Sequence, residues 1–293
     1  MCFSCGQKPA EELREAIDVA QTYLSENKCQ QAIDLLEDVG RQPDDAIYIQ
    51  VLASAYACRA GFNTVDFVAN DLAAINSTSF FKSISILSLS AQTVVDSDPY
   101  KDLKTAFLIL EATDKQTIRN STFGARKAGD IGVQLMLLSI VQLGKFLHYF
   151  GNVDALGNKS LGAGSNDCFI NYTHGPAIAA VTSGTTGSCT SSNSGHPQMS
   201  GAELRRRLCE GSTLIANIVD VIKNVDLSAS SSLSSLESLT TTVDGYRADA
   251  DAAGVGHLID LTSQADCEAL LQSGSEMNNM QLYYATVFEV GLQ

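Results

Sequence analysis

The residues of this chain best suited to chemistry are its eight cysteines, which stand at Cys2, Cys5, Cys29, Cys58, Cys168, Cys189, Cys209 and Cys267. Only the first two have C-x-x-C spacing, and the four histidines are scattered without the short spacings of metal ligands. We therefore expect no metal site and no cofactor. The other six cysteines are even in number, which is typical of disulfides formed in an oxidising compartment.

These six cysteines can be paired by their positions. Stacking of neighbouring helical hairpins would bring Cys29 close to Cys58, and Cys168 and Cys189 both fall in one long loop. Cys209 and Cys267 then remain for each other. The alternative is six buried free thiols, because free cysteine is among the most frequently buried residue types.

The opening segment CFSCGQK resembles the lipobox of bacterial lipoproteins. In that family a small residue, here Ser4, precedes a cysteine that becomes lipidated, here Cys5, and Gly6 begins a polar linker. Cys2 stands where the family usually has Leu, and no basic and apolar signal precedes it. The resemblance implies a chain that begins inside a longer precursor. A cytosolic protein with an incidental Met-Cys start and a plain secreted protein are the alternatives.

Motifs that would indicate an enzyme are incomplete. The segment TSGTTG resembles the phosphate-binding loop of adenylate-forming enzymes, but Ser188, Cys189 and Thr190 follow it where that family has Pro-Lys-Gly. Residues 151–160 miss the P-loop spacing by one residue. His174 and His196 have no partner that the sequence identifies. We expect a protein without catalytic residues.

Charge and hydropathy exclude further classes. The chain has 33 acidic and 19 basic residues, a formal net charge of −14, which disfavours binding to a phosphate backbone and hence to nucleic acid. The longest uncharged apolar stretch, Ile131 to Gly144, has 14 residues, which is shorter than the about 20 residues that a spanning helix needs. We therefore expect no transmembrane helix.

The N-terminal third has the spacing of helical hairpins. Apolar residues recur every three or four positions from Leu13 to Leu24 and from Ala32 to Val39, and again on both sides of Gly61. Superposing the two hairpins places Tyr23 over Tyr56 and gives a period close to that of tetratricopeptide repeats. The first unit resembles that family in Ala20, Tyr23, Ala32 and Leu36. Two hairpins in an unrelated helical bundle are the alternative.

The sequence thus predicts an all-α protein: a tetratricopeptide-like array that continues into a helical bundle with a long disulfide-linked loop. We expect a tether at residues 1–8, a helical-repeat region with a central apolar helix at 9–150, a Gly/Ser/Thr-rich loop at 151–201, and helices packed on the same core at 202–293. The loop is the most unusual segment, because a loop of some fifty residues in a compact domain is usually functional or disordered.

The resemblances together predict a periplasmic lipoprotein, anchored through Cys5 on the periplasmic side of the outer membrane. It would act as a non-enzymatic scaffold for envelope protein partners, with Tyr23, Tyr48 and Tyr56 as candidate contact residues. One alternative is a small-molecule-binding subunit of a transport system, with a cavity lined by Leu135, Leu138 and Phe146. Another is a component of a surface filament. The sequence leaves the oligomeric state open.

Overall fold

The structure, a computed structural model, describes residues 10–76, 79–112, 125–159, 168–183, 198–224 and 238–292. All regular elements within these ranges are helices, which confirms the all-α class, and they are accompanied by two isolated bridges, Val153 with Lys159 and Ile170 with Met199. The chain divides into two compact units. Unit 1 comprises residues 1–63 and 98–138, and unit 2 comprises residues 64–97 and 139–293.

Unit 1 is built from four helices and the first half of a fifth. They are α1 (Ala10–Ser25), α2 (Cys29–Asp38), α3 (Ala46–Arg59), α6 (Asp98–Glu111) and the part of α7 (Ala125–Phe150) that precedes residue 139.

Local signals in the sequence start and stop these helices. The Asp45 side chain accepts hydrogen bonds from the backbone N–H groups of Ile47 and Tyr48, which caps the start of α3. Gly40 follows α2 with a φ of +81°, a left-handed conformation in which glycine avoids the strain that a Cβ would cause.

The N-terminal hairpin is present, but its continuation differs from the predicted repeat. Helices α1 and α2 pack as a hairpin, and α3 packs on both. The main neighbour of α3 in unit 1 is α6, to which it is joined by a bidentate ion pair between Arg59 and Asp102 with N–O distances of 2.8 and 2.6 Å. Residues 64–74, the predicted partner of α3, belong to unit 2. The repeat arrangement therefore stays a prediction.

Unit 2 begins with a helical stretch that is α-helical at Thr64–Asp66 (α4), π-helical at Phe67–Asp71 and 3₁₀ at Leu72–Ala74. The other elements are α5 (Phe80–Ser85), the rest of α7, α8 (Gly175–Ser183), α9 (Leu204–Asn224), α10 (Ser238–Ala252), α11 (Gln264–Leu270), α12 (Gly274–Tyr283), a π-helical turn (Tyr284–Phe288) and α13 (Glu289–Gly291), with 3₁₀ turns at Gly201–Glu203 and Gly256–Asp260.

An aromatic cluster fills the core of unit 2. The Phe146 ring lies 4.9 Å from that of Phe150 and 6.3 Å from that of Phe288, and the Phe169 and Phe288 rings are 5.7 Å apart, all between centroids. Gly211 on α9 permits this packing, because a Cβ there would collide with the Tyr284 hydroxyl and the Phe146 ring. Packing of the aromatic core at this point therefore depends on a residue without a side chain at position 211.

Helix α7 is the central apolar helix that the sequence predicts. Its segment Gly129–Phe150 is long and apolar enough to span a membrane by length and composition. Within the protein, however, 83% of the most apolar 18-residue part of this segment is buried. Core helices of soluble proteins pass the same test, so the segment is weak evidence for a membrane span. The uncharged stretch from Ile131 to Gly144 stops before Lys145, and the helix extends beyond it to Phe150.

The sequence-based segments do not coincide with the two units. The predicted region 9–150 is divided between them, and α7 itself contributes to both. Within the predicted loop 151–201, residues 175–183 form helix α8, while residues 160–167 and 184–197 lie outside the described residues. The predicted tether at 1–8 also lies outside them.

Candidate functional site

Each of the five cysteines in the described residues is in a disulfide. Cys29 at the start of α2 is bonded to Cys58 near the end of α3, and Cys209 on α9 is bonded to Cys267 on α11, each with a Cα–Cα distance of 5.6 Å. Both pairings confirm the sequence prediction. Cys168 is also disulfide-bonded, and its predicted partner Cys189 lies outside the described residues, as do Cys2 and Cys5.

The three candidate contact tyrosines of unit 1 lie in different environments. Tyr48 is 1% exposed, and its hydroxyl donates to the Leu36 carbonyl oxygen at 2.9 Å, so the prediction that it contacts a partner is wrong. Tyr56 is half-buried and donates to Glu37 at 3.1 Å. Tyr23 is half-buried, with the Lys28 ammonium 5.9 Å from its ring centroid. Tyr23 and Tyr56 remain candidates.

Exposed acidic residues cover the α1–α2 hairpin. Residues 10–45 contain ten Asp or Glu and three Lys or Arg, so this segment carries half of the net charge of the chain. Glu11, Glu12, Glu15 and Asp18 are all exposed on α1, and Val19 beside them is 37% exposed. We call residues 10–45 the acidic hairpin. Its charge is visible in the sequence, but apolar periodicity does not reveal it.

Unit 2 contains a cleft of about 370 Å³ at the C-terminal end of α7. Its lining includes Tyr149, Phe150, Met199, Arg206 and Arg207. Of these, Arg207 is 4% exposed, and its guanidinium group lies 6.0 Å from the Phe150 ring centroid.

Two carboxylates hold Arg207 in this position. Its Nη2 donates to both oxygens of Asp96 at 2.7 Å, and its Nη1 donates to Glu210 at 3.0 Å. The arginine side chain is thus fixed at the cleft wall, beside the more exposed Arg206, which pairs with Glu203.

The three residues proposed to line a cavity along α7 are packed in the core and have no exposed surface. Leu135, Leu138 and Phe146 are each 0% exposed, and the Phe146 ring packs against other aromatic rings of the core. The cleft lies farther along α7, at Tyr149 and Phe150, where the helix ends.

A buried ionic network lies beside the aromatic core of unit 2. Glu289 is 0% exposed and its Oε2 contacts Nζ of Lys159, which is itself 2% exposed. The other carboxylate oxygen, Oε1, accepts from the Phe169 backbone N–H at 2.9 Å and from the Tyr172 hydroxyl at 2.7 Å. The Lys159 ammonium also lies 4.7 Å from the Phe169 ring centroid. We call these four residues the Glu289 network.

The surroundings of the Glu289 network define its chemistry. Burial, followed by the neighbouring Glu289 carboxylate, raises the pKa of Tyr172 well above its usual value, so its hydroxyl keeps its proton and donates. Glu289 follows directly after the π-helical turn Tyr284–Phe288, and such turns are frequent at functional sites. Sequence reasoning missed this site, although a single acidic residue within the apolar segment ATVFEVGL was an available signal.

Where the structure describes the remaining predicted motifs, they add no reactive cluster. The backbone N–H of half-buried His174 donates to Gln281, while His196 and the TSGTTG segment after Ser183 lie outside the described residues. Within the described ranges, no group of three or more His, Cys, Asp or Glu side chains could hold a metal ion. No protein-family model, curated protein or solved structure matches the chain.

Proposed function

We propose that the protein is an exported, non-enzymatic binding protein of the cell envelope, anchored to a membrane through lipidated Cys5. The observation that carries this proposal is the oxidation of every cysteine in the described residues. Disulfides persist in oxidising compartments and are rare in the cytosol of mesophiles. This supports export over the cytosolic alternative, and the lipobox resemblance at Ser4–Cys5–Gly6 supports the anchor.

We assign recognition of the partner to the acidic hairpin. Its net charge of −7 is concentrated on two short helices, and a surface of one sign favours a partner of the opposite sign and speeds their encounter. The Cys29–Cys58 disulfide fixes α2 against α3, which keeps the surface preorganised. The partner we propose is an envelope protein with a basic segment, as expected for a scaffold with tetratricopeptide-like hairpins.

Site-specific photocrosslinking in the native host tests this assignment. A photoreactive amino acid replaces Val19 on the acidic hairpin or, as a matched exposed valine in unit 2, Val290, which is 52% exposed. We expect an adduct with one protein at position 19 that is absent from position 290. Charge reversal by Glu15→Lys and Asp18→Lys, or added salt, should weaken that adduct because exposed charges are screened.

Two results would contradict the assignment. One is the absence of any position-19 adduct in the native host. The other is an adduct that the charge reversal leaves at full yield, since a partner selected by charge would lose affinity.

The cleft of unit 2 favours a second function, the binding of a small anionic molecule. Its volume of about 370 Å³ falls within the range of small-molecule sites, and Tyr149 and Phe150 supply aromatic surface. A carboxylate ligand would replace Glu203 on the part-exposed Arg206, because Asp96 and Glu210 already hold Arg207. Native mass spectrometry of protein purified from its host tests this. A retained small molecule that Arg206→Ala releases, and that the neighbouring exposed control Arg205→Ala retains, would favour this function over the scaffold. A ligand-free mass would count against it.

A further inference from the structure

The Glu289 network contains an amine and a carboxyl group that are buried and in contact with each other. Both side chains are almost completely buried, and the ion pair that they form has lost the solvation of two charges, which is unfavourable in a protein interior. Transfer of one proton from the Lys159 ammonium to the Glu289 carboxylate removes both charges at once. The products are a neutral amine, which is a nucleophile, and a carboxylic acid, which is an electrophile.

The two oxygens of Glu289 have different partners, and the difference matches what an acyl-transfer reaction requires. Oε2 contacts the Lys159 amine, whereas Oε1 accepts two hydrogen bonds, from the Phe169 N–H at 2.9 Å and the Tyr172 hydroxyl at 2.7 Å. Two fixed donors at this distance are the arrangement that stabilises the negative oxygen of a tetrahedral intermediate.

The fold also supplies proximity. Lys159 and Glu289 are 130 positions apart in the chain, and folding places the amine against the carboxyl group beside the Phe169 ring. Reacting groups fixed in this way reach effective concentrations of about 10⁵ M or more, which favours reactions that are negligible between free side chains.

We propose that Lys159 and Glu289 condense into an isopeptide bond, an amide between Nζ of the lysine and Cδ of the glutamate. After the first proton transfer, the amine attacks Cδ and forms the C–N bond, and the negative charge develops on Oε1. A second proton moves from Nζ to Oε2, the C–Oε2 bond breaks, and Oε2 leaves as water. No oxidation state changes and no co-reactant is consumed. The bond would join the segment after α7 to the C-terminal helix covalently.

Peptide mapping of the wild-type protein tests this directly. The protein is denatured in urea, reduced, alkylated and digested with trypsin. We expect no cleavage after Lys159 and one branched product that joins residues 146–205 to residues 248–293, about 18 Da lighter than the two peptides together because one water is lost. Cleavage after Lys159, with residues 248–293 recovered as a linear peptide, would overturn the proposal.

Variants test the roles of the individual groups. Lys159→Arg should abolish the branched product, and the wild-type result stands by itself if this variant fails to fold. Tyr172→Phe removes one donor to Oε1 and should slow the reaction about 100-fold after synthesis. Tyr283→Phe is the matched control, because its hydroxyl is buried without a hydrogen-bond partner among the described residues. Equal rates in the two tyrosine variants would overturn the role of Tyr172.

Discussion

Loss of the Cys209–Cys267 disulfide should destabilise unit 2 by a large and calculable amount. The bond closes a loop with a sequence separation of 58, for which loop-closure entropy gives about 4 kcal/mol at 25 °C, or roughly a 1,000-fold change in the ratio of folded to unfolded protein. Both cysteines are 0% exposed, so Cys209→Ala with Cys267→Ala also removes packed sulfur atoms. We therefore expect unit 2 to lose at least the entropic figure, because that figure leaves out the lost packing.

Hydrogen exchange followed by mass spectrometry is the appropriate assay, because it locates the loss of stability within the chain. We expect the amides of α9 and α11, the helices that the bond joins, to lose protection. The matched comparison is Cys29→Ala with Cys58→Ala, which removes a bond that closes a sequence separation of 29. Loop-closure entropy gives about 3.5 kcal/mol for this bond, and the loss of protection should appear in α2 and α3. Unchanged protection in both double variants would refute the reasoning, since it would mean that neither bond contributes to the free energy of unfolding.

Three further predictions follow from single residues. Gly211→Ala should destabilise unit 2 by about 1–3 kcal/mol in urea unfolding, because the added Cβ meets the Tyr284 hydroxyl, whereas Gly245→Ala on an exposed helical position should be neutral or stabilising. Asp45→Ala removes the cap of α3 and should cost about 1 kcal/mol, while Asp44→Ala, at the adjacent exposed residue, should cost little. Burial raises the pKa of Tyr48 to about 12, so the stability that its protonated form confers is complete below pH 10 and is lost as the pH rises toward 12. Tyrosinate absorbance and circular dichroism should then change together in that window.

The sequence predicts the long helices well because their apolar patterns are regular. Helix α7 is apolar on nearly every face, and the structure buries it as predicted. In the serine-rich segment after Phe80, the apolar residues Ile84, Leu87 and Ala91 have helical spacing, but α5 ends at Ser85. There the Ser83 and Ser85 hydroxyls donate to the backbone carbonyls of Phe80 and Lys82, and Ser90 donates to Ile84. Such local bonds compete with helix continuation, and spacing alone does not reveal them.

The candidate sites were less accessible to sequence reasoning. The Cys29–Cys58 and Cys209–Cys267 pairs were predictable from position along the helices, whereas parity alone leaves many pairings open. The Glu289 network was not, because its hydrogen bonds join residues 117 to 130 positions apart and no periodicity connects them. Tyr48 was misassigned because a tyrosine on a helix suits either a surface or a core, and only its position against Leu36 decides between them.

The most direct test of the proposed function is the intact mass of the protein isolated from its native host, measured with and without reduction and alkylation. We predict an N-terminus at Cys5 that carries acyl chains, together with six cysteines that react with the alkylating reagent only after reduction. A chain that retains Met1 with eight thiols reactive before reduction would contradict export, anchoring and the disulfide framework together.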